Sequence, residues 1–160
     1  MTDIDRLKAI VERLRAENGC PWDRVQTHES LKPEVIEEAA EVLCGINILK
    51  ATGNADNLKE ELGDLLLQVV FHAVMAEEEG LFNLDDVLQG ICEKMERRHP
   101  HVFAGVEFAS DEERHAAWES IKKAEKEGRE WEKDYLPEAF TEAEELVGKA
   151  RERKSKTTRG

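Results

Sequence analysis

Aromatic side chains make up only 6% of this 160-residue chain, and proline occurs four times. Few prolines leave room for long uninterrupted helices, and no run alternates apolar with polar residues well enough to read as a strand. Cysteine is as sparse: Cys20, Cys44 and Cys92 are an odd number, widely spaced and without a CxxC pair. That excludes a disulfide framework or a cysteine-built zinc site. With no signal-peptide pattern ahead of them, they read as reduced thiols of a cytoplasmic protein. Long hydrophobic runs are also missing. The longest, Leu65 to Ala76, is broken by Gln68 and His72 and is too short to cross a bilayer, so no membrane partner is expected. Basic residues are outnumbered 36 to 23, for a net charge of -13. A nucleic-acid surface needs the opposite balance. An acidic protein that handles a polyanion must bring metal to neutralise it.

What the chain has is helical periodicity. The length suits one domain with a real core. A first helix runs from Asp3 to roughly Glu17, with Ile4, Leu7, Ile10, Val11 and Leu14 on one face, and stops at Asn18-Gly19. A polar loop follows, in which Pro21 and Trp22 are expected to act as the lock. Ser30 is the expected cap of a second helix with Pro33 in its first turn, reaching about Ala51. Asn57 with Glu60, or else Asn54, caps a third that ends at Gly80; Asn83 with Asp86 opens a fourth that breaks at His99-Pro100; Ser110 with Glu113 opens a fifth. The expectation is an all-α bundle of about five helices. Residues 1–130 form its domain, and 131–160 a partly helical extension with a basic, disordered end. The third helix is apolar nearly all round from Leu65 onward, so it needs cover on every side. A partner subunit is the expected source, giving a homodimer or higher homo-oligomer.

Two acidic cassettes stand out, Glu37-Glu38-Ala39-Ala40-Glu41 and Glu60-Glu61-Leu62-Gly63-Asp64. At about 100° per residue, Glu38 and Glu41 edge the stripe Val35, Ala39, Val42, Leu43, Ile46 and Leu49. Glu61 and Asp64 hold the same offsets from Leu58, Leu62, Leu65, Val69, Ala73 and Ala76. Glu37 points nearly opposite. If the two helices pack as antiparallel neighbours, four carboxylates converge. Two carboxylates about 5 Å apart repel by roughly 3 kcal/mol at an effective dielectric near 20. A set of four must therefore protonate, separate or hold a cation. Oxygen ligands suit Mg²⁺, or Mn²⁺ in its place. Gly63, costly inside a helix, is expected to mark the close approach of another backbone. The histidines share no ligand spacing, and Glu77-Glu78-Glu79 reads as a solvated helix end.

Taken together, Gly19-Cys20-Pro21-Trp22-Asp23, Gln26-Thr27-His28, the paired cassettes, and Arg97-Arg98-His99-Pro100-His101-Val102-Phe103 resemble the MazG family of nucleoside triphosphate pyrophosphohydrolases, over about residues 17–125. The family's EExxE…ExxD signature is met by Glu37, Glu38, Glu41, Glu61 and Asp64. The resemblance implies a helical bundle of the all-α NTP pyrophosphatase type, its core completed by oligomerisation. It also implies Mg²⁺ dependence and conversion of a (d)NTP to (d)NMP and pyrophosphate, in a house-cleaning role on standard or non-standard nucleotides. Carried over by position, Glu38, Glu41, Glu61 and Asp64 would be metal ligands. Glu37 would hold a further metal or the attacking water, Glu37 or Glu38 would serve as general base, and Lys94, Arg98, Trp118 and Lys122 would contact substrate. Lys94 and Arg98 one turn apart present two cations to a triphosphate, while Trp118 stacks on a base or shields the site beside Lys122. Many relatives carry two tandem copies; here there is one signature. That keeps two alternatives open, a selective dUTP, dCTP or phosphoribosyl-ATP pyrophosphatase and a catalytically weak nucleotide-binding regulatory module.

Overall fold

The computed structural model describes residues 2–157, and among them every regular element is helical. These are α1 (Asp3–Arg15), α2 (Pro21–Arg24), α3 (Lys32–Thr52), α4 (Asp56–Glu78), α5 (Leu84–Arg98), α6 (Pro100–Phe103), α7 (Asp111–Glu125), a 3₁₀ turn (Glu130–Tyr135) and α8 (Leu136–Thr157). None of these helices is long and apolar enough to cross a membrane. The chain divides into two compact units, one made of residues up to Leu84 together with those from Phe140 onward, the other of Asp85–Ala139.

In the first unit α3 and α4 form an antiparallel hairpin. Gly53, with φ of 77°, ends α3 in the left-handed conformation that glycine adopts without a steric penalty. Asn54 Oδ1 then accepts from the Asp56 amide at 2.7 Å, a turn device two residues long. Asn57 does not cap α4. It lies inside the helix and donates to Glu61 Oε1 at 2.7 Å. Ser30 likewise does not cap α3: its hydroxyl accepts from the Thr27 amide and donates to Gln26 Oε1, closing the preceding turn on itself.

The core lies where α1 crosses the second half of α4, with Val11 against the level of Val70, Phe71, Ala73, Val74, Met75 and Ala76, all buried. Two ion pairs fasten this crossing, Lys8 to Glu77 at 2.7 Å and Arg15 to Glu78 at 2.7 Å. The end of α4 is therefore not simply solvated, because two of its three glutamates are anchors for α1. Cover of α4 is also one-sided. Leu62, Leu66 and Val69 of α4 remain exposed, as do Leu43 and Ile46 of α3. An added Cβ on Gly63 would meet no atom within 4 Å, so the close approach expected there is found elsewhere, at Gly45.

The loop between α1 and α3 is held by Arg15. Its Nη1 donates to the carbonyls of Asp23 at 2.8 Å and Gln26 at 3.1 Å. Gly19 is required here, since a Cβ would stand 2.2 Å from the Leu14 carbonyl oxygen. Trp22, the expected lock, is 57% exposed, and the Arg15 guanidinium fastens the loop instead. From Phe140 onward α8 belongs to the same unit, where Glu142 pairs with Lys32 at 3.1 Å. The extension is helical through Thr157, and the remainder of the basic end, residues 158–160, lies outside the described residues.

In the second unit Ser110 caps α7 as expected, accepting from the Glu113 amide at 3.2 Å. Glu125 at the far end of α7 ties that helix to Arg97 and Arg98 of α5.

Candidate active site

Hairpin geometry places Glu38 of α3 opposite Glu61 and Asp64 of α4. One carboxylate oxygen from each lies within 4.8 Å of the others. At that spacing each pair of charges repels by about 3 kcal/mol at an effective dielectric near 20. The strain registers on Glu38, whose carboxyl is pushed above its ordinary range first by burial and then by the charges of Asp64, Glu41, Glu61 and Glu34. Asn57 steadies Glu61 from one turn earlier. Three convergent oxygen donors with surplus negative charge fit a hard divalent cation, which would relieve the repulsion that the protein alone leaves uncompensated.

The other two carboxylates of the signature have different company. Glu37 points away from the triad, is buried, and pairs with Arg153 and, at 2.9 Å, with Lys154 of α8. Lys154 also pairs with Glu41, while Glu41 remains near enough to act on Glu38. The contact of α8 with these residues was invisible in the sequence, where the basic tail carried no positional signal.

Below the triad, α4 continues a polar line from Asn57 through Glu61, Asp64 and Gln68 to His72, spaced four, three, four and four residues apart. Gln68 Oε1 and His72 Nε2 are buried with no hydrogen-bond partner among the described residues. His72 stacks on His28, with ring centroids 5.0 Å apart and Nδ1 atoms at 2.7 Å. Burial, and then His28, push the His72 imidazole below its usual range. In the sequence these two residues only interrupted an apolar run; their heptad-like spacing from Glu61 was the signal that connected them to it.

The second unit gathers Arg98, Trp118 and Lys122. Lys122 Nζ sits 4.1 Å from the Trp118 ring centroid and Arg98 Cζ 5.9 Å from it, with His115 stacked at 6.0 Å. Both cations thus lie within cation–π range of the Trp118 ring. Lys94 and Arg98 line one cavity of about 850 Å³, joined by Arg97, Lys126 and Arg129, which sequence reasoning had not singled out.

Residues 26–103 match the MazG nucleotide pyrophosphohydrolase domain. The chain is 50% identical over 127 residues to the nucleoside triphosphate pyrophosphohydrolase of Escherichia coli K12, covering 79% of this chain and 47% of that protein. It is 50% identical over 123 residues to the nucleoside triphosphate pyrophosphohydrolase/pyrophosphatase MazG of Thermotoga maritima, covering 77% and 45%. Against the Bacillus subtilis protein YabN the identity is 50% over 124 residues, 78% of this chain and 24% of the relative. The chain thus spans about half the length of the first two and a quarter of the third.

Proposed function

The chain belongs to the MazG nucleotide pyrophosphohydrolase family, and from that premise we propose that it is a Mg²⁺-dependent enzyme converting (d)NTPs to (d)NMPs and pyrophosphate. The observation that carries the reading is the convergence of Glu38, Glu61 and Asp64 across the α3–α4 hairpin. Those three side chains would hold the cation, with Glu41 beside them. Bound there, Mg²⁺ supplies polarisation of a phosphoryl oxygen, a water of lowered pKa and charge neutralisation for leaving pyrophosphate. Of the two expected bases, Glu37 is paired with Arg153 and Lys154, which leaves Glu38 to take the proton of the attacking water. Arg98, Lys94 and Lys122 supply cationic contacts to phosphate, and Trp118 keeps Lys122 in place. Phosphoryl transfer asks chiefly for such positioning and charge stabilisation, so a site without a Ser or Cys nucleophile is sufficient.

A second copy of the chain completes the same reading by covering the exposed leucines of α3 and α4. Three free thiols and a house-cleaning substrate class agree with a cytoplasmic location.

The experiment is pyrophosphate release from a panel of NTPs and dNTPs with and without Mg²⁺, beside Glu38→Gln and Asp64→Asn. The reading expects metal-dependent release that both substitutions abolish, together with loss of the Mg²⁺-induced thermal shift. Nucleotide binding without release from any substrate overturns it.

A further inference from the structure

Arg97 and Arg98 are consecutive on α5, so their side chains leave the helix about 100° apart. Their heads nevertheless meet at one carboxylate. Glu125 Oε2 accepts from Arg98 Nε at 2.9 Å and Nη2 at 2.6 Å, while Glu125 Oε1 accepts from Arg97 Nε at 2.9 Å and pairs with Arg97 Nη2 at 2.8 Å. Each guanidinium turns its Nε–Nη2 edge to a single oxygen of the carboxylate, so one carboxylate holds both through charge-assisted hydrogen bonds. A guanidinium has five N–H donors, so the Nη1 side of each stays outside this bond, that of Arg97 donating to the Glu93 carbonyl at 3.4 Å. The Glu125 side chain is 14% exposed and that of Arg98 21%, against 50% for Arg97, so the Arg98 half of the pairing is the better sheltered. Arg98 first, and Arg97 with it, hold the Glu125 carboxyl below its ordinary range.

The surroundings say what these cations are arranged for. The cavity of about 850 Å³ beside them is lined by Lys94, Arg97, Arg98, Lys126 and Arg129, and Glu125 is the one acid among its lining residues. Glu132 pairs with Lys126 at 2.5 Å and with Arg129 at 3.2 Å, so five cations here face two acids, a local inversion of sign in a chain of net charge -13. Such a space suits a polyphosphate.

Resting on the reading above, we propose that Glu125 is a positioning residue for the phosphate chain of the substrate. It fixes Arg97 and Arg98 as a paired-guanidinium clamp and so adds Arg97 to the binding set. Glu125 does not touch phosphate. Without its carboxylate two adjacent cations repel, and two long side chains regain their rotamers before any phosphate can order them.

The test uses the full chain with Glu125→Gln, which keeps shape and removes charge. Binding of inorganic tripolyphosphate is measured by calorimetry, beside steady-state kinetics. Tripolyphosphate Kd and nucleotide KM are expected to rise by about tenfold, the size of one charge-assisted hydrogen bond, with kcat nearly unchanged. Unchanged or tighter binding overturns the proposal, the latter because it would make Glu125 a competitor of phosphate. Should Glu125→Gln fail to fold, Arg97→Lys carries the test: it retains charge but loses the fork, and the same weakening is expected. Wild type that binds tripolyphosphate but hydrolyses no NTP removes the enzymatic reading and leaves the clamp standing. Wild type that hydrolyses NTP, with Glu125→Gln matching it in Kd and KM, removes the clamp alone.

Discussion

A Cβ on Gly45 would stand 2.7 Å from the Cα of Leu58 and 3.0 Å from its amide nitrogen. These are backbone atoms, which cannot rotate aside, so the approach of α3 to α4 depends on the missing side chain. Glu38 lies two turns before Gly45 and Glu61 three residues after Leu58, so the same contact sets the spacing of the carboxylate triad. Gly45→Ala should force the helices apart at a cost of about 1–3 kcal/mol, the usual range for overpacking. Urea unfolding measures the loss, and the Mg²⁺-induced thermal shift should shrink with it. A Gly45→Ala variant as stable as wild type would contradict the observed interhelical distance.

Acid should weaken the fold through His72. Burial favours its neutral form, so its pKa in the folded state lies below that of the unfolded chain. The contribution to stability is fully present above the ordinary imidazole range and is lost as pH falls through the depressed folded value. His28, stacked on it, adds a second ring that cannot be protonated at the same time without repulsion. His72→Gln should flatten the slope of stability against pH between neutrality and the carboxylate range, measured as Tm across buffers. A slope identical to wild type would show that the pair does not couple to folding.

Much of this could be read from the residues because helices have one strong local signal. The 3.6-residue period placed the long helices up to Glu125 but not the full length of α8, and of the four carboxylates with matched offsets, Glu38, Glu61 and Asp64 converge while Glu41 pairs with Lys154. Where the reading missed, the cause was either a competing partner within one helical turn or a contact distant in sequence. Ser30 and Asn57 look like caps because their side chains suit the role, yet their partners are Thr27, Gln26 and Glu61. Gly63 and Gly45 are equally unusual inside helices, and only three-dimensional packing distinguishes them. Arg15 and Glu125 had no local pattern at all, since the carbonyls and guanidiniums they hold belong to other segments.

The end of α8 should matter for stability. Glu37 is a buried carboxylate whose pairing comes from Arg153 and Lys154. Exposed ion pairs contribute little, but leaving a buried charged group without a partner costs about 1–3 kcal/mol or more. Replacing both cations by alanine should lower the unfolding free energy by about that amount, and adding Glu37→Gln should restore part of it, because the neutral amide needs no counter-charge. Denaturant titration of the three proteins decides the point. No loss in the double variant would mean that Glu37 is satisfied without α8.

The exposed apolar face of the hairpin gives the last expectation. Leu43 is 62% exposed and Leu62 50%, with Ile46, Val69 and Leu66 also exposed, although all but Leu66 belong to stripes that periodicity assigns to burial. Fully covering a leucine contributes about 1.5–3 kcal/mol, so five such side chains are a large driving force for association. A charge at the centre of that face should oppose association without harming the single chain, since Leu66 is already accessible there. Leu66→Glu should therefore convert an oligomer to monomer in sedimentation equilibrium while retaining the helical circular dichroism. If wild type is itself monomeric, or if Leu66→Glu keeps the wild-type mass, a second copy does not cover this face.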